Sequence, residues 1–471
     1  MDTQCTGIQL EMQGLGRRKV HLDFHGGHVS SDGGALLLRA VDDRLKLTER
    51  FAACFTDYRQ PGLIEHSVLE LVRQRTYGID LAYEDLNDHD DLLRDPLLAL
   101  LSGKRDVEGQ NRRRASDKGK ALASSSTLNR LELTPENADA QSRYKKVVYS
   151  GVAIEHFFVD VFLDSFEQAP TEIILDFDAT DDPLHGHQEG RFFNGYYDSY
   201  CYMPLYVTSG EHLLISQLRP GNQGAATGSL AVLQKLVARI RKRWPDVSIL
   251  FRADAGFMGD AIMTWCEANR VKYVIGLSRN ERLLKRIRIQ QYEAWRLYEQ
   301  TGTASRVFTE FKYRTRTSWT SARRVIAKAE HLCKGPNPRF IVTNLSGSEV
   351  HSRELYEEVY CARGDMENRI KEQQLDLFAD RTSTHTLRAN QLRLWFSSLA
   401  YVLTSALRRI ALKGTRLATA TSGTIRLKLF KIGALIKLSV RRFQIHLASA
   451  CPYQDVFHQA LNNLYRYPLR N

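Results

Sequence analysis

The most regular alternation of apolar and polar positions lies in Glu172-Ile-Ile-Leu-Asp-Phe-Asp-Ala-Thr180. Successive side chains of a strand point to opposite faces, so Ile173, Leu175 and Phe177 share one face and Ile174, Asp176 and Asp178 the other. Further strands are expected at His212–Leu218, at Val247–Ala253 running into Asp254, at Tyr273–Leu277 and at Arg339–Asn344. Helical spacing appears from Ser229 to Trp244, with Leu230, Leu233, Val237 and Ile240 inward and Lys235, Arg239, Lys242 and Arg243 outward. The order strand, strand, strand, helix, strand, helix, strand predicts a mixed α/β sheet with an antiparallel start and a parallel continuation.

Around that core the pattern changes. Ser31-Asp32 is positioned to cap a helix from Ala35 towards Cys54, and shorter helices follow Pro61-Gly62 up to Gly103. The polar, basic run Gly109–Lys120 is expected to be a loop, and Tyr144–Phe166 a helix leading into the acidic strand. The aromatics of 191–208 (Phe192, Phe193, Tyr196, Tyr197, Tyr200, Tyr202 and Tyr206) are expected to fill a sheet core. Residues 279–340 are polar and basic with alternating stretches, and predict a β-rich insertion. A long helix is expected from Ser352 to about Phe378, then an apolar one from Leu392 to Leu412. On the former, Tyr360, Arg363, Glu367, Lys371 and Gln374 recur at three- and four-residue steps along one stripe. Gly364 costs about 1 kcal/mol there relative to alanine, which predicts a close approach of backbone to a ligand or neighbour. A hairpin is expected from Ile425, with Leu427 and Leu429 alternating with Arg426 and Lys428, and Lys431 following, and its turn near Gly433. The resulting divisions are 1–143 (mainly helical), 144–278, 279–338, 339–400 and 401–471.

Composition narrows the function classes. The 471 residues are 43% hydrophobic, the level of an ordinary globular protein, and about three domains fit that length. No apolar run approaches the ~20 residues of a membrane span, and Met1–Gly7 does not look like a signal peptide. The seven cysteines are scattered without a Cys-x-x-Cys, which predicts reduced thiols and a cytoplasmic protein. The net charge is +12, and 401–450 holds ten basic residues and no acidic one. So concentrated a positive field suits a polyanion such as nucleic acid.

Three separated carboxylates then stand out: Asp178 at the end of one strand, Asp254 at the end of another, and Glu367 on the late helix. Two strand-end aspartates and a helical glutamate are a donor set for two Mg²⁺ ions, which activate an attacking oxygen and stabilise the leaving oxygen of a phosphodiester.

These motifs resemble the DDE transposases of bacterial insertion sequences, which have an RNase H-like catalytic core. The resemblance is carried by Asp178-Ala179-Thr180, by Asp254-Ala255-Gly256-Phe257, and by Tyr360-Cys-Ala-Arg363-Gly-Asp-Met-Glu367. Gln374 stands where that branch of the family has lysine, with Lys371 one turn earlier. The insertion before the glutamate, the stretch Phe192-Phe-Asn-Gly-Tyr-Tyr197 and Arg426–Gly433 also look like this branch. The resemblance implies an RNase H-like core with a helical N-terminal DNA-binding or scaffold region. It implies cleavage at terminal inverted repeats and strand transfer, with Asp178, Asp254 and Glu367 as ligands of two Mg²⁺ (Mn²⁺ substituting). It further implies Tyr360, Arg363, Lys371, Gln374, Arg426, Lys428 and Lys431 as DNA contacts, and a homodimer on double-stranded DNA. Asp176 becomes a neighbour of the site rather than a ligand.

Two other readings fit parts of the chain. Asp-x-Asp-x-Thr after an apolar run also resembles haloacid dehalogenase-type phosphatases, with Asp176 as nucleophile and Asp178 as acid/base. A catalytically silent DNA-binding descendant is the other. His185-Gly-His187 reads as a polar loop rather than a metal pair.

Overall fold

A computed structural model describes residues 10–439 and 441–468. The chain forms two compact units, 150–398 and 1–149 with 399–471. The helix Leu387–Ile410 belongs to the first of these up to Ser398 and to the other from Leu399.

Unit 150–398 is built on one large sheet. Its order is His212–Gln217, Leu205–Ser209, Glu172–Ala179, Ser248–Ala253, Lys272–Leu277, Arg339–Thr343, Arg323–Leu332, Ser305–Tyr313. Each of the first three strands is antiparallel to its neighbour, and the acidic strand Glu172–Ala179 runs parallel to Ser248–Ala253, which runs parallel to Lys272–Leu277. This is the mixed RNase H-like arrangement expected. The parallel strands carry continuous apolar runs because both faces are covered. On one face Ile173, Leu175, Phe177, Ile249 and Phe251 pack against Val159, Phe162, Leu233, Val237 and Ile240 from helices Gly151–Leu163 and Ser229–Arg243. On the other, Leu250, Val274, Ile326 and Ile341 pack against Leu355 and Tyr356, with Ile174 joining them. Asp176 and Asp178 alternate with the first set, so they project onto the second face, where the glutamate-bearing helix lies.

The insertion is half helical. Glu281–Arg286 and Arg288–Thr301 are helices, and only then do Ser305–Tyr313 and Arg323–Leu332 form a hairpin that extends the main sheet. The glutamate helix is continuous from Ser352 to Asp376 but irregular: Leu355–Tyr360 and Glu372–Asp376 are π-helical and Cys361–Arg363 is 3-10. A Cβ at Gly364 would meet nothing within 4 Å and its φ is helical, so no close approach within the protein accounts for that glycine.

The aromatic stretch departs from expectation. Tyr202 and Tyr206 are buried, but Phe192, Phe193, Tyr196 and Tyr200 are 45%, 52%, 87% and 47% exposed. Their hairpin, Phe192–Asn194 with Ser199–Tyr202, sits in a small separate three-stranded sheet.

In the other unit, a hairpin (Leu10–Leu15, Arg18–Leu22) precedes the helices. The helix expected from Ala35 to Cys54 is interrupted at Lys46, whose φ of 56° is left-handed. Asp32 makes no cap and instead pairs with Lys431. Val147–Tyr149 is a strand paired with Phe55–Asp57, so the helix expected from Tyr144 begins at Gly151, capped by Ser150. Residues 422–430 are helical rather than the start of a hairpin. The hairpin comes later, Ala434–Ser439 with Arg442–Leu447, and pairs with His28–Ser30. Among the described residues no helix is long and apolar enough to cross a membrane, and six cysteines are free thiols. Cys5 lies outside them.

Candidate active site

The acidic strand delivers its two aspartates to different environments. Asp176 is buried, and Arg252, directly opposite on the parallel neighbour, grips it with both arms: Nε donates to Oδ1 at 2.5 Å and Nη2 to Oδ2 at 2.7 Å. The remaining arm of Arg252 donates to the carbonyl of Val359 at 2.5 Å, in the π-helical segment just before Tyr360. Arg252 therefore ties the sheet to the helix that carries Glu367. Burial raises the Asp176 carboxyl above its usual range, against the pull of Arg252.

Asp178 lies one step further out. Its Oδ1 accepts from the Ala179 amide at 2.9 Å, and its Oδ2 accepts from Arg363 Nη1 at 3.0 Å. The other arm of Arg363 donates to Glu367 Oε1 at 2.8 Å. Burial pushes the Asp178 carboxyl up to about 6; Arg363 pulls it down, while the like charges of Asp254 and Glu367 push it up. Arg363 is itself held above its ordinary range: burial works against its charge, and Asp178, Tyr360, Asp254 and Glu367 outweigh that. Arg363 thus bridges Asp178 and Glu367, and the charge of Asp254 acts on it as well.

Asp254 ends the Arg252 strand and caps the following turn, its Oδ1 accepting from Gly256 N at 2.9 Å. Gly276, on the next strand, is required here. A Cβ there would lie 2.6 Å from Tyr360 Oη and 2.7 Å from Ala255 N, so only glycine lets the phenol reach the strand end beside Asp254. Burial raises the Tyr360 hydroxyl, Arg363 lowers it and Asp254 raises it, so the phenol stays protonated at neutral pH. Tyr197 hydrogen-bonds the Ala179 carbonyl at 3.4 Å; burial, then Asp181 and Asp178, push its hydroxyl up to about 12.

The rest of the expected set is dispersed. Lys371 is exposed. Gln374, past the onset of the second π segment, donates to the Asp181 carbonyl at 3.1 Å. In the other unit Arg426 is buried, its Nε donating to the Asp80 carbonyl at 2.6 Å, so its charge is used internally rather than offered to solvent. Lys431 is held by Asp32 at 2.7 Å and lies over the Tyr83 ring. Lys428 alone of these three is exposed. His185 and His187 are exposed.

Asp178, Asp254 and Glu367 offer carboxylate oxygens only, the donors preferred by Mg²⁺ or Mn²⁺ rather than by softer metals. The donor chemistry fits such an ion. Yet among the described residues no group of three His, Cys, Asp or Glu side chains is arranged to hold one, and Arg363 supplies positive charge to Asp178 and Glu367 instead.

Sequence reasoning missed Arg252 and Gly276. A cationic residue inside the apolar run Ile249–Ala253, two positions before Asp254 and hence on its strand face, was the available signal for Arg252.

A family model described as "Transposase DDE domain group 1" matches residues 12–469. No curated protein matches the chain. Among solved structures, the chain is similar to one titled "Cryo-EM structure of piggyBac transposase synaptic complex with hairpin DNA", at 10% identity and a TM-score of 0.38, over 85% of this chain and 80% of that one.

Proposed function

The chain belongs to the group 1 transposase DDE domains, and from that premise we propose that it binds the terminal inverted repeats of an insertion sequence, cuts the DNA there and transfers the strand to a target. The observation that carries the reading is that one guanidinium, Arg363, is bonded to both Asp178 and Glu367, with the charge of Asp254 acting on Asp178 and on Arg363. The family uses divalent metal ions; here Asp178, Asp254 and Glu367 would hold two Mg²⁺, with Mn²⁺ able to replace them. When bound, those ions supply Lewis-acid activation of the attacking oxygen and charge stabilisation of the leaving one.

The chain's own groups do the rest. Arg363, released from the carboxylates, pairs with a backbone phosphate through its planar fork. Tyr360, kept neutral, donates a hydrogen bond to the same phosphate. Asp176 and Arg252 fix the strand end and the helix relative to each other. Lys371 adds charge to the DNA track, and Gln374, lacking the family's lysine charge, contributes hydrogen bonding only. Lys428 adds a phosphate contact, while Lys431 and Arg426 support the surface from within. Double-stranded DNA is the partner, bound by a homodimer because two ends are joined.

A phosphatase with Asp176 as nucleophile is disfavoured by the bidentate Arg252 clamp on that buried carboxylate. The test is incubation of the full chain with candidate end duplexes and Mg²⁺. Glu367→Gln and Asp254→Asn are each expected to lower nicking by at least about 10²–10³-fold. Nicking that survives both substitutions would refute the assignment.

A further inference from the structure

A helix that packs on a sheet turns its polar side to solvent, and Arg288–Thr301 in the insertion does not. Its inner side is held firmly. Ala294 is buried in the core, its carbonyl accepts from the Ser305 hydroxyl, and the Tyr298 ring lies 5.0 Å from that of His331. The opposite side carries Ile289, Tyr292 and Trp295, which are 69%, 60% and 41% exposed. Their three-residue steps put them on consecutive turns, and the Tyr292 and Trp295 ring centroids are 5.5 Å apart. An apolar patch kept in water on a fixed helix marks a contact surface. Charges bracket the rings. Arg288, Tyr292, Trp295 and Glu299 follow at steps of four, three and four, the spacing of a coiled-coil seam. Arg288 and Glu299 are exposed, and neither forms an ion pair among the described residues.

We infer that this seam pairs antiparallel with the same seam of a second copy of the chain. A two-fold axis between residues 293 and 294 sets Tyr292 against the partner's Trp295 and Arg288 against the partner's Glu299, each twice. The order cation, ring, ring, anion is its own complement under that rotation, as an isologous interface requires. Apolar then faces apolar and cation faces anion along the whole seam. A parallel pairing would instead set Arg288 on Arg288 and Glu299 on Glu299, like charge on like charge. DNA is a poorer occupant, because Glu299 at one end of the seam repels phosphate. The inference deepens the proposed reading by giving its homodimer a surface, yet it rests on this helix and not on the acids.

The full chain is followed by sedimentation velocity, without DNA or divalent metal, from about 1 to 100 μM. The wild type is expected to pass from monomer to dimer over that range. Tyr292→Ser and Trp295→Ser should each weaken the dimer by at least about tenfold, the loss that removing one central aromatic anchor causes. Arg288→Glu and Glu299→Arg should each weaken it as well, because either change sets like charges against each other twice. An equimolar mixture of these two single variants should associate about as tightly as the wild type, since every charged contact across the axis is then between opposite signs. That recovery separates a seam from misfolding. A wild type that stays monomeric throughout, a dimer unmoved by both serine variants, or a mixture that stays monomeric overturns the pairing. Nicking of end duplexes with Mg²⁺ is measured alongside. A wild-type dimer without nicking defeats the catalytic reading alone; nicking by a protein that stays monomeric throughout defeats the pairing alone.

Discussion

Replacing Arg252 with methionine removes three charge-assisted hydrogen bonds at once, two to Asp176 and one to the Val359 carbonyl. Both partners of the ion pair are nearly inaccessible, Asp176 at 4% and Arg252 at 6%. A buried carboxylate that loses the cation hydrogen-bonded to it costs about 3–5 kcal/mol. For a unit of this size each kcal/mol moves the melting temperature by about 2–4 °C, so the variant should melt about 6–20 °C lower. The loss depends on pH in a definite direction. Burial already raises the Asp176 carboxyl, and without Arg252 it rises further. A raised folded-state pKa means the native state holds the proton that the unfolded chain releases, so stability falls as pH climbs above the usual carboxylate range. The deficit should therefore be smallest near pH 4 and grow towards neutrality. The double change Asp176→Leu with Arg252→Met removes both charges and should recover most of the stability. It cannot restore the Val359 contact, so nicking should stay low although the fold returns. Thermal unfolding of the full chain by circular dichroism, with nicking measured in parallel, separates these outcomes. An Arg252→Met protein within about 1 kcal/mol of wild type, or a double variant as unstable as the single, would refute the reasoning.

Asp80, fully buried with one oxygen bonded by Thr404 at 2.8 Å and the other without a hydrogen-bond partner among the described residues, has its carboxyl pushed up to about 8, chiefly by burial. Wild-type stability should therefore decline between about pH 4 and 8, and the advantage of Asp80→Asn in thermal melts should widen over that window and level off above it. Arg426→Met strands buried carbonyls and should cost about 1–3 kcal/mol in denaturant unfolding. Lys428→Ala should leave stability within about 0.5 kcal/mol, yet weaken DNA binding and lower the magnitude of its salt slope by about 1. Lys371→Ala should weaken end binding or cleavage; unchanged values for both would remove Lys371 from the DNA track.

The acidic strand was legible because a period of two is short-range information: Asp176 and Asp178 on one face follow from eight residues. Which of them is free does not follow, since Arg252 meets Asp176 only through a pairing across 76 residues of chain, set by packing. Residues 425–430 show why local pattern also misleads. Ile425, Leu427 and Leu429 suit an alternating strand, but Ile425 and Leu429 are also one helical turn apart, and both are buried while Leu427 is 73% exposed. The exposed aromatics failed for a different reason. Their alternation is real, but burial needs a second apolar layer, and in the small sheet they belong to Phe193 and Tyr200 stay about half exposed. The two π segments that shift the phase of Gln374 carry no signal in the residue types.

Arg363 gives the acids their coherence. Three carboxylates held by non-consecutive elements repel one another, and the Asp178 carboxyl stays near 6 even with a guanidinium 3.0 Å away. Burial is the largest part of that rise, and one guanidinium carries less charge than three carboxylates. On the proposed reading, metal ions held by Asp178, Asp254 and Glu367 would supply the remaining charge, and the Arg363 fork would be available to a backbone phosphate. On that reading the same side chain balances the acids before DNA arrives and would bind the substrate afterwards. That exchange requires Arg363 and Glu367 to sit one turn apart on a helix whose distance from the sheet is fixed. Arg252 through Val359, and the space left by Gly276 under Tyr360, are what fix it.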